Sequence, residues 1–108
     1  MANEELVTSL RSLHKALLDA ERKNVERIHG PMTNTEFFQL VSDKLRYGWL
    51  QPLNDLVLAA DDGEDVSDRA RELLRPPDSS TPFGRRLIAL MQTDPTLVLA
   101  QGRVAKLL

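Results

Sequence analysis

The chain contains no cysteine. Disulfides, iron–sulfur clusters, thiolate zinc sites and cysteine nucleophiles are therefore excluded, and the composition fits a reducing compartment. Aromatic residues are scarce, with one Trp, one Tyr and three Phe; a stacking platform for single-stranded nucleic acid needs more ring faces than that. No run of residues approaches the roughly 18 uncharged apolar positions of a membrane span. The opening Met1-Ala2-Asn3-Glu4-Glu5 is acidic and lacks the basic flank and apolar run of a secretory signal. A basic excess is missing too: the formal net charge is −2, which disfavours a general nucleic-acid binder. These absences lead to the expectation of a cytoplasmic protein without membrane contact. Gly-rich phosphate loops, Gly-x-Ser-x-Gly elbows and His-Glu-x-x-His motifs are likewise not found.

What remains is ordinary globular material. The 108 residues are 42% hydrophobic and 28% charged, enough to expect a single helical domain over residues 1–108 with one core. The longest uninterrupted pattern runs from Asn3 to His29. Leu6, Leu10, Leu13, Leu17, Ala20 and Asn24 recur at spacings of four and three, and Val7, Leu18, Val25 and Ile28 widen the stripe. Gly30-Pro31 stops it, since Gly suits the left-handed position after a helix and Pro cannot continue the ladder.

Further helices are expected from about Thr33 to Gly48, from Pro52 to Ala60, from Ser67 to Leu74, after Thr81-Pro82 and after Asp94-Pro95. Thr33 with Glu36 has the form of a capping box, and Ser67 reads as an N-cap. The expected inward positions are Phe37, Phe38, Val41 and Leu45; Leu53, Leu56, Val57 and Ala60; Val66, Ala70, Leu73 and Leu74; Phe83, Leu87, Leu90 and Met91; and Leu97, Val98, Val104 and Leu108. All six Pro and most Gly fall at boundaries between these segments, and no segment alternates as a strand would. The expectation is an all-α, antiparallel helical bundle: a long N-terminal helix with four or five shorter helices folded against it.

Few constellations carry chemistry. Glu26-Arg27-Ile28-His29 matches Glu-x-x-His, a pair that shares one helical face in carboxylate-bridged metal bundles. A full site there needs a second such motif and two more carboxylates, so Glu26 and His29 stand as a minor metal or small-ligand alternative. His29 equally suits the negative end of the helix dipole. His14, on the flank of the stripe, reads as a half-buried imidazole bonded to a neighbour, and Glu21 two turns on could share its side. The Asp61-Asp62-Gly63-Glu64-Asp65 run fails the calcium-loop register and reads as a solvated loop capping the next helix. Arg46, Tyr47 and Trp49 cluster at a corner as a bulky plug or a contact point. Arg85-Arg86 is too small a basic signal for phosphate binding or a regulator's recognition helix. Acidic residues concentrate between Asp55 and Asp78 and basic ones after Arg85, a pattern that suits helix faces attracting one another across the fold.

Leu13-His14 and Leu17 before Glu21-Arg22, then Glu26, Gly30-Pro31, Phe37 to Leu40, Trp49-Leu50 with Pro52-Leu53, and Asp94-Pro95 form a pattern along nearly the whole chain. It resembles a group of small, uncharacterised bacterial proteins that are helical and cytosolic. The resemblance implies a helical domain and supplies no activity, cofactor or site. No catalytic residue and no cofactor follow from the residues themselves. The leading expectation is a non-enzymatic interaction or oligomerisation module of the bacterial cytosol, with a protein partner or a two-fold homodimer as its simplest form. Its surface would be the apolar flank left over on the first helix, through Val7, Leu18 and Val25.

Overall fold

The computed structural model describes residues 4–108, and among them every regular element is helical. The long first helix, α1, spans Glu4–His29; Asn3, where the pattern begins, lies outside the described residues. After it come α2 (Asn34–Val41), α3 (Lys44–Tyr47), a 3-10 turn (Gly48–Leu50), α4 (Gln51–Asp61), α5 (Ser67–Leu74), α6 (Pro82–Met91) and α7 (Pro95–Lys106). Leaving aside the single turn of α3, five shorter helices accompany α1, as the periodicity suggests. The result is a helical bundle in which α7, α4 and α6 lie along α1, while α5 closes against α4 and α7.

Local chemistry sets most of the boundaries. Gly30 takes a positive φ of 86° and its N–H bonds the Glu26 carbonyl, ending α1 before Pro31. The capping box of α2 is complete, with Thr33 Oγ1 accepting from the Glu36 N–H and Glu36 Oε1 accepting from the Thr33 N–H. That second bond holds the Glu36 carboxyl below its usual pKa. Thr81 and Asp94 cap α6 and α7, each followed by Pro in the first turn, where a missing N–H costs nothing. At α5 the cap differs from expectation. Ser67 is the first helical residue, and its N–H and hydroxyl both donate to Asp65, one oxygen serving as acceptor for both.

The expected second helix breaks in two at Ser42-Asp43. Ser42 Oγ turns back to the Phe38 carbonyl, and Asp43 Oδ1 accepts from the Leu45 N–H as the cap of α3. The interruption rotates α3 relative to α2. Tyr47 swings into the core, whereas Leu45 is 99% exposed and Phe38 66% exposed. Both are corrections to the inward stripe read from spacing. Val98 also points outward, and Ala100 takes its buried place on α7.

The core is one cluster centred on Leu10, Leu13, Leu17, Leu53, Leu56, Leu74, Leu87, Leu97 and Val104, with Phe83 at the start of α6. Fully burying each such side chain is worth about 1.5–3 kcal/mol. Charges meet across helices as the uneven distribution implies: Arg11 Nε donates to Asp61 Oδ1 at 2.7 Å, and Lys23 lies 3.7 Å from Asp94.

Gly84 in the first turn of α6 is required by close approach, not by backbone angle. The segment through Asp78 crosses it so tightly that a Cβ would collide with the Asp78 carbonyl. Nothing approaches the missing Cβ of Gly102 in α7. Gly84→Ala is therefore expected to lose about 1–3 kcal/mol through overpacking. Gly102→Ala is expected to gain about 0.5–1 kcal/mol from helix propensity. Urea unfolding of the two variants checks both signs, and equal effects would contradict the crossing.

Candidate functional site: a cleft between α1 and the α2–α3 segment

The C-terminal half of α1 and the segment from α2 to the 3-10 turn face each other across an open cleft of about 880 Å³. Volumes of roughly 300–1,000 Å³ are those of ordinary binding pockets. Its walls are Val25 and Ile28 from α1, Leu40 from α2, and Tyr47 and Trp49 from the corner. Around the rim stand Glu36, Asp43, Arg46 and His29.

The cleft owes its shape to the light packing of α2. Of that helix only Phe37 is buried. Arg22 on α1 holds the segment down: Nε donates to Glu26 Oε1, Nη1 to Asn34 Oδ1 and Nη2 to the Met32 carbonyl, each at 2.6 Å, while the guanidinium lies 5.6 Å from the centre of the Phe37 ring. A smaller hollow of about 390 Å³ opens on the other side of α2, bounded by His14, Leu18 and Phe38.

At the floor sits Glu21, the one buried charged side chain among the described residues, 4% exposed. Arg86 Nη2 from α6 donates to its Oε2 at 2.7 Å and Oε1 at 3.0 Å, and the Tyr47 hydroxyl donates to Oε1 at 3.2 Å. The same guanidinium lies 5.9 Å from the Trp49 ring centre, and the Tyr47 and Trp49 rings are 6.2 Å apart. Three elements that share no sequence neighbourhood are thus tied by one carboxylate. Burial, reinforced by the negative charge of Glu21, pushes the Tyr47 hydroxyl above its usual pKa.

Sequence patterning places these residues only in part. Arg46, Tyr47 and Trp49 do form a corner, with Tyr47 buried, Trp49 half-buried and Arg46 exposed. Arg86 is the partner of Glu21. Neither Glu21 nor Arg86 stands out as a site residue from the sequence. One available signal was the i,i+4 series Leu17, Glu21, Val25, which puts a carboxylate in line with apolar positions. The buried stripe turns from Asn24 toward Glu21 and Val25 because Tyr47 and Arg86 approach from that side.

His14 is half-buried and bonded, as its position suggested, to Asn54 Oδ1 at 2.7 Å, while Glu21 serves Arg86 and Tyr47 instead. Glu26 and His29 are not brought into a larger ligand set. Glu26 is bonded to Arg22, His29 is exposed in the last turn of α1, and no group of three or more His, Asp or Glu among the described residues could hold a metal ion. Of the flank residues on α1, Val25 is buried at 9% exposure, and Val7 and Leu18 are half-buried against the core. Comparisons with family models, curated proteins and solved structures find no match to this chain.

Two measurements probe the floor. Arg86→Met would leave the Glu21 carboxylate buried without its cation. Breaking a buried pair costs about 3–5 kcal/mol, and the solvent reach of Arg86, 36% exposed, lowers the expected loss to about 1–3 kcal/mol. Adding Glu21→Gln to that variant is expected to restore part of it. Tyr47 supplies the pH dependence. Its folded-state pKa lies above the unfolded value of about 10, so its contribution is complete below that pH. The contribution disappears as pH rises through the folded-state value. Urea midpoints above pH 10 are expected to fall less steeply in Tyr47→Phe than in the native chain.

Proposed function

We propose that this protein is a non-enzymatic helical interaction module of the bacterial cytoplasm, and that the cleft between α1 and the α2–α3 segment receives its partner. The observation that carries the reading is the set of solvent-reachable apolar side chains that line the cleft. Ile28 is 69% exposed, and Leu40 and Trp49 remain half-open. An apolar surface bordered by charge is the usual form of a protein contact. The polar floor supports binding over catalysis, because Glu21 is already occupied by Arg86 and Tyr47. Val7 and Leu18 are half-buried against the core, whereas Val25 lines the cleft beside Ile28, so α1 contributes to the surface through Val25 and Ile28. The cysteine-free composition is in keeping with a reducing compartment. No helix among the described residues is long and apolar enough to cross a membrane.

Native extracts provide the test. The chain is expected to migrate well above its own 12.2 kDa, and Ile28→Asp with Leu40→Asp is expected to return it to the size of one chain. Leu99→Asp on the exposed face of α7 is expected to leave the larger species intact. Migration as a single chain in the extract, or equal effects of the two kinds of variant, would count against the cleft as a partner surface.

A further inference from the structure

We propose that residues 31–42, with α2 at their centre, form a gate beside the cleft: the segment opens as a unit while the rest of the bundle stays folded, and Arg22 is its latch. The inference goes beyond the reading of the cleft as a partner surface and does not depend on what occupies it.

The segment is tied to the rest of the protein at few points. Among the helix pairs that pack extensively, α2 has only α3, its neighbour in sequence. Phe37 is its sole buried residue, and Leu40 and Val41 are half-buried against the core. Its polar ties are narrower still. Apart from the bond between Asp43 and Leu40 at its C-terminal boundary, the hydrogen bonds that join residues 31–42 to the rest of the described chain all come from Arg22, to Asn34 Oδ1 and the Met32 carbonyl. The same guanidinium lies over the Phe37 ring. Segments that open locally are those with few buried apolar contacts and little else to hold them. Here one partly exposed side chain supplies most of the polar hold.

Both ends are built to let the segment go. Gly30, at a φ of 86°, closes α1 by donating its N–H to the Glu26 carbonyl. Asp43 caps α3 through the Leu45 N–H, and its carbonyl accepts from the Tyr47 N–H. Neither of these closures uses a residue of α2, so α1 and α3 stay capped when it leaves. The Tyr47 hydroxyl, bonded to Glu21, keeps the α3 corner in place, and the Arg22–Glu26 pair lies wholly within α1. Freed from the body, a helix of eight residues is too short to persist in water, so opening also unwinds it and exposes its amides. The consequence falls on the cleft. Glu36, Gln39 and Leu40 line the large cleft, and Phe38, Val41 and Ser42 line the smaller hollow. α2 is the partition between the two, and its departure joins them and uncovers Phe37.

Hydrogen exchange on the purified full chain, followed amide by amide in low urea, tests the gate. The amides of Leu40 and Val41 are expected to exchange at least about 100-fold faster than those of Leu13 and Leu17, with little dependence on urea, because only a short segment is exposed. Val104→Ala, in the core of α7, destabilises the closed and open forms alike. It is expected to speed exchange at Leu13 and Leu17 about tenfold and to leave Leu40 and Val41 unchanged. Gly102→Ala is expected to slow the α1 amides and again leave those of α2 unaffected, which keeps the comparison available if Val104→Ala does not fold. Arg22→Met is expected to speed Leu40 and Val41 about tenfold through the loss of two charge-assisted bonds. Arg11→Met, which removes the ion pair with Asp61 elsewhere on α1, is expected to have no effect on them. Exchange in α2 with the urea dependence of the core overturns the proposal, as does exchange that moves in step with the core when position 102 or 104 is changed. An Arg22→Met chain with native exchange at Leu40 and Val41 overturns it too.

Discussion

The need to cover one side of α1 governs the rest of the fold. A 26-residue helix is about 39 Å long, and Leu6, Leu10, Leu13 and Leu17 run down one side of it. No other helix here is half that length, so covering the stripe takes several in series. The two halves of α1 differ as a result. Over the leucines the covering helices α4 and α7 leave Leu6, Leu10, Leu13 and Leu17 almost wholly buried. Beyond Ala20 the cover passes to α3, the 3-10 turn and α6, which meet α1 through the polar floor at Glu21, and an open cleft is left above it.

Glu21 explains how that end stays ordered despite being open. A buried carboxylate is costly unless its oxygens are engaged, and here Arg86 and Tyr47 engage both. The pair gains specificity more than raw stability, because an apolar replacement of similar volume would serve the core as well or better. Its consequence is geometric. It fixes α6 and the α3 corner at one position along α1, and with them the walls of the cleft. Arg22, the next residue along α1, acts in the same way by gathering the Gly30–Asn34 connection and the Phe37 ring onto the helix. The α2–α3 segment is thus held by a few charge-assisted contacts and not by a broad apolar face, which leaves Phe38 and Leu45 exposed.

The helical class, the extent of α1 within the described residues and the caps at Thr33, Thr81 and Asp94 were legible in the residue pattern. Each depends on groups within four positions of one another: a hydroxyl or carboxylate reaching a free N–H, a Pro with no N–H to lose, a Gly at positive φ. The same locality explains the misreadings. Ser67 looked like a cap, yet Asp65, two residues earlier, competes for its N–H. The stripe Phe37, Phe38, Val41, Leu45 presumed one continuous helix, and the Ser42-Asp43 break undoes that spacing. Val98 shares its helix with Ala100, and the neighbouring helices select the smaller residue for the inside.

Sequence by itself therefore determined where chain segments turn helical and which long stripe must be hidden, because both depend on the 3.6-residue period and the backbone chemistry at helix ends. The tertiary structure alone decided which charged group went inside. Glu21 and Arg86 are 65 positions apart, and although Glu21 falls in line with Leu17 and Val25, nothing local names the guanidinium that would join it. It also decided that Leu45, apolar and in step with its neighbours, would face outward. Exposure is a property of what packs alongside, and no periodicity within a single segment carries that information.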